Sequence, residues 1–291
     1  TKGNYNMTNI GNTNCELILP DVPLKDLKEI ERSIQTTYRK TIWTPFVRAL
    51  KTFSMINDGD KVAVAISGGK DSLILAKLLQ ELKRISTTKF ELVFISMNPG
   101  FNDVNISNLK KNLDHLNIPC EIYDSNIFEI SEMIAKDYPC YICAKMRRGS
   151  LYSKAKSLGC NKLALGHHFD DVVETIMMSI LYMSKYETML PKLKSDNFEG
   201  LELIRPLYFV EERVIINYTK NAGLAPMNCG CTVAAGKTSS KRSEVKKMIA
   251  NLVKTDHEIK KRIFQSSQNI NLEKVLGWKT DEGRFSYLDN Y

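Results

Sequence analysis

Apolar residues recur every three or four positions through residues 26–56, at Leu27, Ile30, Ile34, Tyr38, Ile42 and Phe46, and that spacing predicts helix. After the turn Asn57-Asp58-Gly59-Asp60 the texture changes. Lys61-Val62-Ala63-Val64-Ala65-Ile66 is a short, nearly continuous apolar run, as in a strand covered on both faces. Helical spacing returns over 72–82. Strands are then predicted at 90–95, 120–123 and 161–166, and helices at 103–115, 126–135, 144–158 and 170–183. Strands alternating with helices imply βαβ units: an α/β fold with a parallel sheet and helices on both faces. Such sheets bind ligands at the carboxyl ends of their strands. Further helices are expected at 211–222 and 241–265, flanking a loop that bears cysteines. Three segments follow: an irregular arm and helix over 1–57, the sheet domain over 58–210, and a helical segment over 211–291.

Ser67-Gly68-Gly69-Lys70-Asp71-Ser72 directly follows the first strand and opens a helix. Two glycines let the backbone approach an anion and turn several N–H groups toward it. The helix start adds partial positive charge, Lys70 a full one, and Ser67 and Ser72 hydroxyl donors. This is a loop for phosphate or pyrophosphate; the bland reading is a tight turn. It is not a Walker A loop, because Asp71 rather than Ser or Thr follows the lysine. Gly236-Lys237-Thr238 ends like one, but Cys231 stands where the first glycine belongs.

A second string, Gly166-His167-His168-Phe169-Asp170-Asp171, ends another strand and starts another helix. Paired carboxylates there can hold Mg²⁺ against phosphates; they also suit a helix amino end without any ligand. His167 and His168 fit packing as well as substrate contact.

Seven cysteines are present, at 15, 120, 140, 143, 160, 229 and 231. Their odd number and two close pairs, Cys140-x-x-Cys143 and Cys229-x-Cys231, argue against a disulfide framework and for a metal or redox centre. Zinc takes four closed ligands and an iron–sulfur cluster can stand on three; the spacing does not choose. Cys120 and Cys160 are expected as buried structural thiols.

The S-G-G-K-D-S string resembles the PP-loop of ATP pyrophosphatases, which cleave ATP between the α- and β-phosphates, and G-H-x-x-D-D belongs to the same resemblance. With P-C-Y-I-C-A-K-M-R-R-G-S-L-Y (139–152) and P-K-L-K-S-D-N-F-E-G-L-E-L-I-R-P-L (191–207), the order and spacing from about Ile34 to Gln268 resemble the tRNA 2-thiocytidine synthetase family. The resemblance makes residues 58–210 an ATP-binding domain of adenine nucleotide α-hydrolase type. It implies ATP and Mg²⁺ held by Ala65, Ser67, Gly68, Gly69, Lys70, Asp71, Ser72, Met97, Gly166, Asp170 and Asp171, with Lys70, Asp71 and Asp171 catalytic. It also implies a [4Fe–4S] cluster on three cysteines. Cys140 and Cys143 carry over; the third departs, because the family's P-C-x-x-C is here Pro226-Met227-Asn228-Cys229-Gly230-Cys231. Nearest alignment gives Cys229, with Cys231 as alternate and zinc as the alternative metal. The implied reaction adenylates a tRNA base carbonyl, cytidine in the anticodon loop, releases pyrophosphate and then AMP, and installs sulfur from a donor such as a cysteine desulfurase. A homodimer is an assembly it allows.

Charge adds a partner. Lys and Arg number 41 against 33 Asp and Glu, a net +8, which suits nucleic acid. Lys145, Arg147 and Arg148 follow one cysteine pair, and Lys241 and Arg242 lie beyond the other; tRNA is the expected polyanion across both. With 43% hydrophobic and 25% charged residues the composition is globular. No membrane partner is expected, and a polar Asn-rich start without an apolar stretch makes cytoplasm the expected compartment. Other readings are an enzyme modifying a different tRNA base, a non-catalytic cluster-bearing RNA sensor, and a dithiol oxidoreductase.

Overall fold

The computed structural model describes residues 7–8, 16–18, 20–101, 103–125, 139–228 and 239–291. The helix expected at 126–135, Cys15, Cys229 and Cys231, and the side chains of Cys140, Cys143 and Lys145 lie outside the described residues.

Two short strands, β1 (Met7–Thr8) and β2 (Glu16–Ile18), precede helix α1 (Leu27–Gln35). The helix expected over 26–56 is broken. A π-helical turn at Arg39–Trp43 separates α1 from α2 (Thr44–Thr52), which starts with Pro45 in its first turn. Proline has no N–H to continue a ladder, so a new helix begins there. Then come β3 (Lys61–Ala65), α3 (Lys70–Ile85), β4 (Glu91–Asn98), α4 (Asp103–His115), β5 (Cys120–Asp124), α5 (Pro139–Ser157), β6 (Lys162–Ala164) and α6 (Phe169–Met183). Two strands not foreseen, β7 (Lys192–Lys194) and β8 (Glu202–Ile204), lead to α7 (Glu212–Asn221) and β9 (Met227–Asn228). The chain ends in α8 (Ser239–Thr255), α9 (Ile259–Ser266) and a hairpin of β10 (Gly277–Thr280) and β11 (Gly283–Ser286).

Six strands form the main sheet in the order β5-β4-β3-β6-β8-β7. All neighbours pair parallel except β7, which returns antiparallel to β8. The sheet grows from β3 to β4 and β5 on one side, then from β3 to β6 on the other. The carboxyl ends of β3 and β6 are therefore the switch point where α/β sheets open a ligand crevice. Ala63, Ala65, Ile95 and Leu163 pack with Ala155 of α5 on one face. Leu73, Ile74, Leu75, Leu78 and Leu79 of α3 are buried against the sheet. Lys77 is a buried cation within that layer, satisfied by Glu31 at 2.7 Å and the Leu116 carbonyl at 3.0 Å.

At the amino end of the sheet Lys162, nearly inaccessible, pairs with Glu202 and lies 3.8 Å from Asp60. Asp60 also accepts from the Asn161 amide at 2.7 Å. A cleft of about 450 Å³ beside this network is lined by Lys162, Lys194, Glu199 and Glu202. It lies at the opposite end of the strands from the two glycine-bearing loops.

Packing groups the chain differently from the three segments read in the sequence. One unit comprises Thr1–Asp171 with Leu190–Ser240, and the other Val172–Met189 with Lys241–Tyr291. In the second, Glu174 pairs with Arg242 at 2.8 Å and Trp278 stacks on Phe285 across the hairpin. Among the described residues no helix is long and apolar enough to cross a membrane.

Candidate nucleotide and phosphate site

The loop between β3 and α3 is shaped by its own side chains. Ser72 Oγ accepts from Ser67 N–H at 3.2 Å and donates to the Gly69 carbonyl at 2.9 Å. Gly68 takes φ +78°, a left-handed conformation natural to glycine. Its carbonyl accepts from the Met227 N–H at 2.9 Å, and a Cβ on Gly68 would overlap Met227 Cε. Strand β9 is thereby fastened onto the phosphate loop. It also pairs with β2, and Asn108 and Asn112 of α4 hold the Ala225 carbonyl at 2.7 and 2.8 Å. Cys229 follows Met227 by two residues, a covalent reach of about 7 Å.

The second loop lies directly against the first. A Cβ on Gly166 would stand 3.1–3.2 Å from the backbone of Asp71 and Ser72, tighter than packed side chains ordinarily allow. Only a residue without a side chain lets the two strand ends meet this closely.

Four ionisable groups converge on that contact. Lys70 Nζ lies 3.1 Å from both Asp71 Oδ2 and Glu212 Oε1. Burial works to lower the Lys70 pKa, but the two carboxylates outweigh it and hold the ammonium above its usual range. Burial raises the Asp71 carboxyl above its ordinary value, against the pull of Lys70 and His168. Asp71 Oδ1 is buried and makes no hydrogen bond. The buried His168 presents Nε2 to it at 3.9 Å and to Glu212 Oε1 at 4.0 Å. The Asp171 N–H donates to His168 Nδ1 at 3.4 Å.

The paired aspartates both serve helix ends. Asp171 Oδ2 accepts the His168 N–H at 3.0 Å while His168 Nδ1 accepts in return, a reciprocal cap on α6. Asp170 Oδ2 accepts the Glu212 N–H at 2.7 Å and so caps α7. Capping occupies one oxygen of each, and a carboxylate offers about four acceptor sites. Among the described residues no three acidic, His or Cys groups surround a common metal position. Mg²⁺ needs no such cage, since it keeps waters and binds through one or two carboxylates and substrate phosphates. The orphaned Asp71 oxygen beside an anion-shaped loop suits that arrangement.

Ala65 and Met97, at the ends of β3 and β4, are buried. Met146 and Leu151 of α5 pack on Met97, while Ala155 packs lower, with Ala63 and Leu163. Helix α5 thus runs antiparallel to the strands, and its first turn, bearing Cys140 and Cys143, lies toward the carboxyl edge. On the same helix Arg147 is half-buried and Arg148 exposed. Lys241 and Arg242 belong to the second unit, where Lys241 sits 5.1 Å over the Tyr182 ring and Arg242 is bound to Glu174. Cys160 is buried as expected; Cys120 is only half-buried, and burial with the Glu121 charge pushes its thiol up to about 12. Glu212 and Arg205 went unread in the sequence. The Glu-Glu-Arg opening a helix and the Arg-Pro after β8 carried no sign of their partners.

A glycine loop, Lys70 and clustered carboxylates at the switch point of a mostly parallel sheet make this an adenine nucleotide α-hydrolase-like fold. A PP-loop domain profile matches residues 40–227. The tRNA-cytidine(32) 2-sulfurtransferase of Geobacter sulfurreducens is 38% identical over 229 residues, covering 77% of this chain and 87% of that protein. That of Bdellovibrio bacteriovorus is 35% identical over 257 residues, covering 87% and 95%. The chain belongs to the PP-loop family and, within it, to the family of these tRNA-cytidine(32) 2-sulfurtransferases. Its fold is similar to that of the U34-tRNA thiolase NcsA from Methanococcus maripaludis, solved with its [4Fe–4S] cluster. The TM-score is 0.61 at 25% identity, covering 82% of this chain and 80% of that one.

Proposed function

We propose that this protein is an ATP-dependent tRNA sulfurtransferase that replaces the C2 oxygen of a cytidine in the anticodon loop with sulfur. The observation that carries this reading is the Met227–Gly68 hydrogen bond, which ties the phosphate loop to the segment entering Cys229-Gly230-Cys231. Relatives named for this reaction, and a structural neighbour holding a [4Fe–4S] cluster, support it.

ATP lies with its pyrophosphate end against the N–H groups of Gly68 and Gly69, and its base beside Ala65 and Met97. Asp71, with Asp170 and Asp171, would hold Mg²⁺ against the phosphates. Lys70 leaves its two carboxylate partners for the phosphates, so binding exchanges internal ion pairs for one with the nucleotide. The base carbonyl oxygen attacks the α-phosphorus, and Lys70 and the loop N–H groups stabilise the charge growing on departing pyrophosphate. Cys140, Cys143 and Cys229, or Cys231 in its place, make a soft thiolate set that fits an iron–sulfur cluster. When bound, the cluster would hold and activate sulfide delivered by an external donor such as a cysteine desulfurase, and that sulfide would replace the activated oxygen as AMP departs. Arg147, Arg148 and Lys145, with Lys241 and Arg242, meet the tRNA backbone. The compartment is the cytoplasm, where tRNA is found.

The test is conversion of ATP to AMP and pyrophosphate by protein loaded anaerobically with iron and sulfide, with and without bulk tRNA. Turnover that requires tRNA and is lost in Lys70→Ala is expected. Wild-type turnover in Lys70→Ala, or none in either protein, would overturn the assignment.

A further inference from the structure

Arg205 directly follows β8, and the Leu165 N–H bonds the Ile204 carbonyl at 3.0 Å, so Arg205 stands beside Gly166 on the carboxyl edge. It is two strand positions, roughly 10 Å, from β3 and the phosphate loop. One Nη1 donates to the Leu190 carbonyl, yet Nε is buried with no hydrogen-bond partner. A buried unpaired donor on a charged group is uncommon and calls for an explanation. Burial, with a second guanidinium, Arg148, close enough to repel it, pushes the Arg205 pKa down to about 10. Asp171, Tyr152 and Tyr208 only partly offset this. A buried guanidinium at the sheet's carboxyl edge that keeps an unbonded Nε donor, with Arg148 near enough to repel it, is suited to an anion.

The position says which anion. In the sulfurtransferase reading the nucleotide base lies beside Met97 on β4, and β4 is one strand to the other side of the phosphate loop. An ATP stretched from Met97 to that loop runs away from Arg205, leaving this flank to the second substrate. Resting on the sulfurtransferase reading, we propose that Arg205 and Arg148 form a subsite for a phosphodiester of the bound RNA, positioning the target nucleotide over the α-phosphate. A guanidinium fork suits two phosphate oxygens at once, which a lysine cannot match.

The experiment titrates bulk tRNA onto the loaded full-length protein at several potassium chloride concentrations, for wild type, Arg205→Ala, Arg205→Lys and Arg148→Ala. ATP affinity and circular dichroism are measured in parallel. Removing one cation from the phosphodiester should reduce the slope of log K against log salt by about 0.7–1, in Arg205→Ala and in Arg148→Ala. Arg205→Lys keeps the charge and should keep the wild-type slope with weaker binding. ATP affinity should not change. A purely structural Arg205 would leave the slope at the wild-type value, overturning the proposal. So would weakened ATP binding with an unchanged slope, which would give Arg205 to the nucleotide's polyphosphate. Should Arg205→Ala fail to fold, an unchanged slope in Arg148→Ala is the overturning result. Failure of the wild type itself to bind tRNA would refute the sulfurtransferase reading, and this subsite with it.

Discussion

Gly68→Ala probes the contact that joins the phosphate loop to the cysteine-bearing segment. At φ +78° a side chain is disfavoured by about 1–2 kcal/mol. The new methyl would overlap Met227 Cε and stand 3.3 Å from Leu109 Cδ1. Cε is the tip of a flexible side chain, but Met227 is buried, so moving it aside disturbs its packing and strains its N–H bond to Gly68, worth about 0.5–1.5 kcal/mol. The sum is about 1.5–3.5 kcal/mol, or a fall of about 3–14 °C in melting temperature for a domain of this size. The assay is thermal unfolding with calorimetric ATP binding, on Gly68→Ala, Met227→Ala and the double variant. Because Met227→Ala removes the overlapping atoms, the double variant should be more stable than additivity predicts, by about 1 kcal/mol. ATP affinity should fall in both variants that carry Gly68→Ala. A Gly68→Ala protein that melts and binds ATP like wild type would refute the reasoning.

Other substitutions test the charges. Because Asp71 is raised by burial, its charged form is less favoured folded than unfolded. Asp71→Asn should therefore melt higher at neutral pH while losing ATP turnover, and its advantage should shrink as pH falls through the carboxylate range. Retained turnover with an unchanged melting temperature would count against this. Lys162→Met leaves Asp60 and Glu202 without their buried cation and should cost about 3–5 kcal/mol by urea unfolding, with ATP affinity preserved. Burial works to raise Glu202, but Lys162 and Lys192 outweigh it and hold the carboxyl below its ordinary value. Its contribution to stability is complete above about pH 4.3 and is lost as pH falls through the lower folded value. Glu202→Gln should flatten that acid limb, and an unaltered limb would exclude Glu202 as its source.

Much of the sheet was legible because a buried parallel strand followed by a glycine loop and a helix has a distinctive pattern. The runs at Lys61–Ile66 and 161–166 gave β3 and β6, and with them the loops at 67–72 and 166–171. Strands β7 and β8 escaped because three residues each, Lys-Leu-Lys and Glu-Leu-Ile, are too short to show a period. Their pairing is set by the neighbours they join. The π-turn at Arg39–Trp43 was hidden inside otherwise sound helical spacing. In the site, Lys70 and Asp71 were readable because they share one loop with the glycines. Glu212 stands 142 residues from Lys70 and Arg205 follows a strand that was not read, so only the folded chain brings them to the crevice. His168 was read as ambiguous and proves to be the reciprocal cap of α6.

The central claim is that this protein puts sulfur into tRNA. Mass spectrometry of nucleosides digested from tRNA of cells with and without this protein tests it most directly. 2-Thiocytidine should be present with the protein and absent without it, returning with the wild-type chain but not with Lys70→Ala. Undiminished 2-thiocytidine in cells lacking the protein would contradict it.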